Sequence, residues 1–277
     1  MTKRFFKYLR NLSIVAIALY LTICVLLYAF QDKLLFHPQP KDKSEIAVLL
    51  KRSPAFDTLF LTMKDGTRIG AYIHKDTGSA PMPLILYFGG NAEEVSHMML
   101  KKPYFKNCHL VLVNYRGFGL CGGQPSEKTM FSDALEIYDH LQKQSYTDPG
   151  NILVIGRSIG TGVATYLSSQ RNIKASILIT PYESMIAVAG EKYKFIPMSL
   201  LLQHPFESDK YALAITSPMH ALIAKNDAVI PRHHAYTLLK KWKGKTTFLE
   251  IDADHNSIMD KDAVWKSIEA FIMLNSK

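Results

Sequence analysis

At 277 residues, 48% hydrophobic and 21% charged, the chain is long enough to bury one large core and lacks the composition of a disordered protein. Its formal charge of +9 is not gathered into a basic run interleaved with aromatics, so no nucleic-acid partner is expected; the excess suits an anionic membrane surface or a solvated basic face. The three cysteines argue against a disulfide or a metal site, since Cys24 lies in an apolar stretch and Cys108 and Cys121 bracket a predicted strand roughly 20 Å long.

Residues 12–30 are nineteen consecutive positions without a charge, enough helix to cross a hydrocarbon core of about 30 Å. They read as a single transmembrane anchor. Lys3, Arg4, Lys7 and Arg10 precede it, so residues 1–11 are expected in the cytoplasm and the rest of the chain on the other side, the periplasm in a bacterium. Lys33, Lys41 and Lys43 make that asymmetry modest. A cleaved signal peptide fits less well, because the apolar run is too long and no A-x-A site follows it. Ile23, directly before Cys24, is too bulky for a lipoprotein site. Residues 31–55 read as a tether, with a short helical piece at 44–50.

The folded domain is expected over 56–277. Strands at 58–63 and 67–74 flank Asp65-Gly66, a hairpin turn signal. Short apolar runs follow at 84–88, 110–114, 152–155, 176–180, 220–224 and 247–251, the pattern of strands covered on both faces. Helical stretches fit between and after them at 92–101, 126–144, 159–170, 232–241 and 262–274. The alternation predicts an α/β class with a mostly parallel sheet of about eight strands and an antiparallel start. Residues 181–215 interrupt it with Pro197 and Pro205, and read either as a small helical cover beside the site or as a crossover helix with a long loop.

The predicted strand at 152–155 runs directly into Gly156-Arg157-Ser158-Ile159-Gly160 and then a helix, the setting of a nucleophile elbow. A bare G-x-S-x-G arises by chance in roughly one chain in ten of this length, so the setting carries the weight. A serine hydroxyl needs a base and nearby N–H donors to attack a carbonyl. In such a sheet the acid and the histidine follow the serine, each after a later strand. Asp227 follows the strand at 220–224 and His255 follows the strand at 247–251. Asp252 and Asp254 are too close to His255 in the chain to orient it easily, and Asp260 reads as the start of the last helix. His97, His109, His140, His220, His233 and His234 fall inside or at the start of predicted elements and read as packing or surface residues. An oxyanion hole needs backbone donors. Ile159, directly after the nucleophile, is one; the other belongs to the Gly89-Gly90-Asn91 loop, where glycines let the backbone approach closely.

These residues resemble the membrane-anchored α/β-hydrolases with one N-terminal span and no large lid, a family that includes protein depalmitoylases and lysophospholipid lipases. The stretches that carry the resemblance are 86–92, 114–119 with 124–127, 156–160, 224–231 and 254–256, covering most of the chain from about Phe56. It implies the α/β-hydrolase fold preceded by one transmembrane helix. It further implies Ser158 as nucleophile, Asp227 as acid, His255 as base and the N–H groups of Asn91 and Ile159 as oxyanion donors, with no metal or organic cofactor. One departure stands out: the family usually has His-Gly-Asn in the oxyanion loop, and Gly89 replaces the histidine. The expected activity is cleavage of a carboxylic ester or thioester, with a lipid or acylated substrate suggested by the anchor. The same triad would also serve a peptidase or small-ester esterase, and a catalytically weak, membrane-tethered binding module is the reading outside enzymes.

Overall fold

The hairpin at the start of the domain pairs β1 (Asp57–Thr62) with β2 (Arg68–His74), turning at Asp65-Gly66, where Gly66 takes φ +82°. The computed structural model describes residues 2–78 and 81–276. Met1, in the expected cytoplasmic segment, and Ser79, Ala80 and Lys277, in the expected catalytic domain, lie outside the described residues. The remaining strands are β3 (Met82–Phe88), β4 (His109–Val113), β5 (Thr147–Arg157), β6 (Ala175–Ile179), β7 (Met219–Ala224) and β8 (Thr246–Ile251). They form one eight-stranded sheet in the order β1-β2-β4-β3-β5-β6-β7-β8, parallel from β4 through β8 and antiparallel where β2 joins β1 and β4. This is the α/β-hydrolase fold.

The apolar runs explain the layering. Along β3, Leu84, Leu86 and Phe88 enter one core while Ile85 and Tyr87 enter the other, as the two-residue period requires. On the first face lie α3 (Glu127–Leu141), α4 (Ile159–Gln170) and α8 (Arg232–Lys241), through Met130, Val163 and Leu238. On the second lie α2 (Lys43–Arg52), a 3-10 helix (Val95–Tyr104) and α9 (Asp262–Asn275), through Ile46, Met98 and Trp265.

Three segments differ from the sequence reading. The helix expected at 92–101 is displaced to the 3-10 helix Val95–Tyr104, because Glu93 and Glu94 turn their carboxylates inward and Glu94 caps Ser96. The apolar stretch 12–30, expected as the anchor, belongs to a longer helix, α1 (Thr2–Leu35), which at 34 residues is about 51 Å long. Residues 36–41, expected as part of a tether, are docked: Phe36 is buried in the core, the His37 N–H donates to the Asn91 carbonyl at 2.9 Å, and Gln39 and Lys41 bond the backbone of Gly119. The interruption at 181–215 resolves as α5 (Met185–Lys192), α6 (Met198–Leu201) and α7 (Ser208–Ala212). These form a small helical cover, with α6 against α1 and α7 against α4.

Candidate active site

Strand β5 ends at Arg157 and α4 begins at Ile159, leaving Ser158 alone on the turn at φ +52°. That left-handed backbone is costly for a serine, about 1–3 kcal/mol, and needs support. The Ser158 N–H donates to the Ile179 carbonyl on β6 at 2.9 Å. The flanking glycines explain themselves sterically. A Cβ on Gly156 would lie 2.3 Å from the Gly160 carbonyl oxygen, and one on Gly160 would lie 2.3 Å from the Phe88 oxygen. Strand, turn and helix pack at a distance only glycine permits.

Asp227 and His255 arrive from the ends of β7 and β8. His255 Nε2 lies 3.0 Å from Ser158 Oγ and His255 Nδ1 lies 2.7 Å from Asp227 Oδ2. The other Asp227 oxygen accepts the Val229 and Ile230 N–H groups at 2.8 and 2.7 Å, which fixes the carboxylate plane. An ionised carboxylate only accepts, so Nδ1 carries the imidazole proton and Nε2 is left to accept from the serine hydroxyl. All three side chains are buried. The rejected acids are engaged elsewhere: Asp252 accepts from the Asn226 amide, and Asp254 accepts the Asn256 and Ser257 N–H groups that turn the histidine loop. The other buried histidines are held by structural contacts, among them His220 between Thr247 and Ser267 and His109 against the Tyr146 carbonyl.

Beside the serine is a cleft of about 150 Å³ lined by Gly90, Asn91, Ala92 and His255. The Asn91 and Ile159 N–H groups meet no protein acceptor among the described residues. The backbone that carries Asn91 is held by a network the sequence reading missed. Glu93, nearly fully buried, accepts the Gly90 N–H at 2.7 Å, the Tyr87 hydroxyl at 2.6 Å and Arg157 Nη1 at 2.8 Å. Arg157 Nη2 reaches Asn256 Oδ1 at 3.0 Å, and the Tyr115 hydroxyl donates to the Gly89 carbonyl at 2.9 Å. One carboxylate therefore joins the Gly89–Asn91 loop, Arg157 and, through Arg157 and Asn256, the loop that carries His255.

Burial alone would raise the Glu93 pKa, but the Arg157 and His97 charges and the donated hydrogen bonds outweigh it, and the group stays ionised below its ordinary range. Burial likewise works against the Arg157 charge, and Glu93 overrides it, so that pKa is raised. Gly89 belongs to the same design. A Cβ there would stand 3.0 Å from both Glu93 Cδ and Val95 Cγ1, so a side chain at 89 and the inward Glu93 compete for one space. The signal was legible only in combination: an absent histidine, a glutamate four positions later and an arginine inside the elbow.

No family model matches the chain. It is 27% identical over 251 residues to the alpha/beta hydrolase domain-containing protein WAV2 of Arabidopsis thaliana, covering 81% of this chain and 80% of that one. It is 29% identical over 188 residues to the lysophosphatidylserine lipase ABHD12 of Rattus norvegicus, covering 58% of this chain and 45% of that one. Among solved structures, the 2,6-dihydroxy-pseudo-oxynicotine hydrolase superposes with a TM-score of 0.70 at 15% identity, covering 84% of this chain and 72% of that one.

Proposed function

We propose that this chain, a member of the α/β-hydrolase superfamily, is a membrane-anchored serine hydrolase that cleaves a carboxylic ester or thioester through an acyl-enzyme. The observation that carries the reading is the continuous hydrogen-bonded line from Asp227 through His255 to Ser158, at 2.7 and 3.0 Å, beside two uncommitted backbone donors.

The mechanism follows from that geometry. Ser158 Oγ attacks the carbonyl carbon as its proton passes to His255 Nε2, and Asp227 stabilises the imidazolium and holds its orientation. The carbonyl oxygen becomes an oxyanion that accepts from the N–H groups of Asn91 and Ile159, each such donor contributing about 3 kcal/mol in comparable sites. Collapse breaks the bond to the leaving oxygen or sulfur, which takes the proton from His255. Water then attacks the acyl-serine with His255 again as base, releasing the acid and restoring the hydroxyl.

Anchorage is supported by α1, whose apolar stretch crosses 18 residues at a mean hydropathy of 2.5 with almost no burial in the protein. The basic residues before it favour a cytoplasmic N-terminus and an extracytoplasmic catalytic domain. The deciding experiment is labelling by a fluorophosphonate probe. Wild-type protein should label and Ser158→Ala should not; a folded wild type that stays unlabelled would leave a membrane-tethered binding module as the better reading.

A further inference from the structure

One stripe of α1 faces the protein. Tyr20, Cys24, Leu27, Gln31 and Leu34 recur at helical spacing along that face; Cys24 and Gln31 are buried and Leu27 half-buried, while Tyr20 and Leu34 touch the cover and stay largely exposed. The contact is long. At its lower end His204 Nε2 lies 2.7 Å from Asp32, and the Gln203 N–H donates to Gln31 Oε1 at 2.6 Å. At its upper end the Tyr20 hydroxyl donates to the Phe195 carbonyl at 2.8 Å. Tyr20 precedes Phe30, the last residue of the charge-free stretch, by ten positions, or roughly 15 Å of helix. Whatever depth α1 has in a bilayer near Tyr20, the segment between α5 and α6 shares it.

That segment has the surface for such a place. Phe195 is 88% exposed and Tyr193 42%, and Leu200, in the following α6, is 81% exposed. Lys192, the last residue of α5, and Lys194 flank Tyr193, and their long stems let the ammonium groups reach back toward headgroups.

Between α1 and the cover is an apolar cavity of about 200 Å³, walled by Leu27, Leu34 and Leu35 on one side and by Val188, Met198 and Leu202 on the other. Gln31 and Lys192 are the charged or amide groups in its wall; the Gln31 amide is spent on the Leu201 and Tyr28 carbonyls and the Gln203 N–H, and the Lys192 stem is itself apolar. Hydrocarbon is what such a lining accepts. Val229, two residues beyond the acid Asp227, lines this cavity and also the neighbouring cleft that contains His255. Val229 is thus common to both, and the cavity lies next to the loop that carries Asp227 and the cleft at His255.

We propose that the cover is seated in the leaflet through Tyr193, Phe195 and Leu200, and that the cavity against α1 is an acyl-chain site filled laterally by the long-chain ester of a lipid of that leaflet. The anchor then forms a wall of the substrate site besides holding the enzyme at the membrane. This rests on the serine-hydrolase reading above.

The test uses the full chain in phosphatidylcholine vesicles, with 4-methylumbelliferyl palmitate and butyrate as paired substrates. Val188→Trp fills the cavity from the cover and Leu34→Trp fills it from α1. Each is expected to lower the palmitate-to-butyrate ratio of kcat/KM roughly tenfold or more. The double variant Phe195→Asp, Leu200→Asp is expected to lower the palmitate rate in vesicles by a similar factor. A wild-type ratio in both tryptophan variants would overturn the acyl site, and a wild-type vesicle rate in the double variant would overturn the seating. An S-palmitoyl peptide hydrolysed in preference to a palmitoyl lysophospholipid would overturn the lipid as occupant. Fluorophosphonate labelling run in parallel separates the two readings: labelled variants with unchanged ratios sink only the acyl site, whereas a wild type unlabelled at Ser158 sinks the hydrolase itself.

Discussion

Ser158 sits where function and stability oppose each other. Its positive φ is a conformation that glycine adopts without strain, so Ser158→Gly is expected to abolish labelling while raising the melting temperature, by about 1 kcal/mol of stability. Ser158→Ala keeps the strain and should lose activity alone, by about 10⁶ in kcat. A thermal melt of the two variants side by side distinguishes them; equal midpoints would show that the turn is unstrained. Glu93 touches no substrate in the proposed mechanism, yet it holds the loop that carries Asn91, the proposed oxyanion donor. Glu93→Ala leaves Arg157 without its buried partner and two donors unsatisfied, a loss of about 3–5 kcal/mol. Because the Glu93 pKa is lowered in the fold, its contribution is complete above the ordinary value of 4.5 and disappears as pH falls through the folded value. Denaturant midpoints at pH 7 and pH 4 should therefore differ more in wild type than in Glu93→Gln. If Glu93 positions the loop, kcat falls in Glu93→Gln with KM for a short ester little changed; a wild-type kcat would reduce it to a packing residue.

At the scale of elements, the cover is fastened to α3 through one carboxyl group. Glu127, in the first turn of α3, accepts the Phe206 N–H, and its own N–H donates to His204, which in turn holds Asp32 of α1. Burial pushes the Glu127 carboxyl up to about 7, with the Phe206 hydrogen bond opposing and Glu207 adding to the rise. A folded pKa above the unfolded one stabilises fully below about 4.5, and that stabilisation is lost as pH rises through 7. Glu127→Gln keeps an acceptor for Phe206 without the buried charge. It should leave the melting temperature near pH 5 almost unchanged and raise it at pH 8; a variant less stable than wild type at pH 8 would contradict this account. The elbow itself depends on the close packing of β5, α4 and the end of β3, so Gly160→Ala is expected to cost about 3 kcal/mol or more and to be visible as a lowered denaturant midpoint.

For the whole molecule, α1 and the domain behave as one packed body, since Phe36 enters the core and residues 37–41 bond the loops at Asn91 and Gly119. Removing residues 1–35 would strip Leu27, Leu34 and Leu35 from the cover and expose their apolar partners to water. Such a truncation should require detergent to remain monodisperse even though the apolar stretch 12–30 is gone, which size-exclusion chromatography with and without detergent would read. A truncated domain monodisperse in plain buffer would show that the contact with α1 is dispensable. Orientation rests on the charges before the span, and reporter fusions at the C-terminus test it, with an extracytoplasmic signal expected.

Patterning local to the chain was enough for the sheet, for the turn at Ser158 and for the loops that bring Asp227 and His255 to it. Runs of buried aliphatics have a two-residue period whatever surrounds them, and a strand ending in a glycine-flanked serine can turn in few ways. Asp227 and His255 were legible for the same reason, since each stands directly after an apolar strand. Tertiary structure alone decided the rest. Glu93 falls within the helix expected at 92–101 with nothing in the sequence to mark it as buried; the space beside Gly89 admits it, and burial is a property of the surroundings, not of the residue. The tether became a docked segment because Phe36 found a core assembled from strands far away in the chain. The nineteen apolar residues make by themselves a helix long and apolar enough to cross a membrane, but the wall they present to the cover depends on which side of α1 the domain packs against, and only the folded arrangement of long-range contacts decides that.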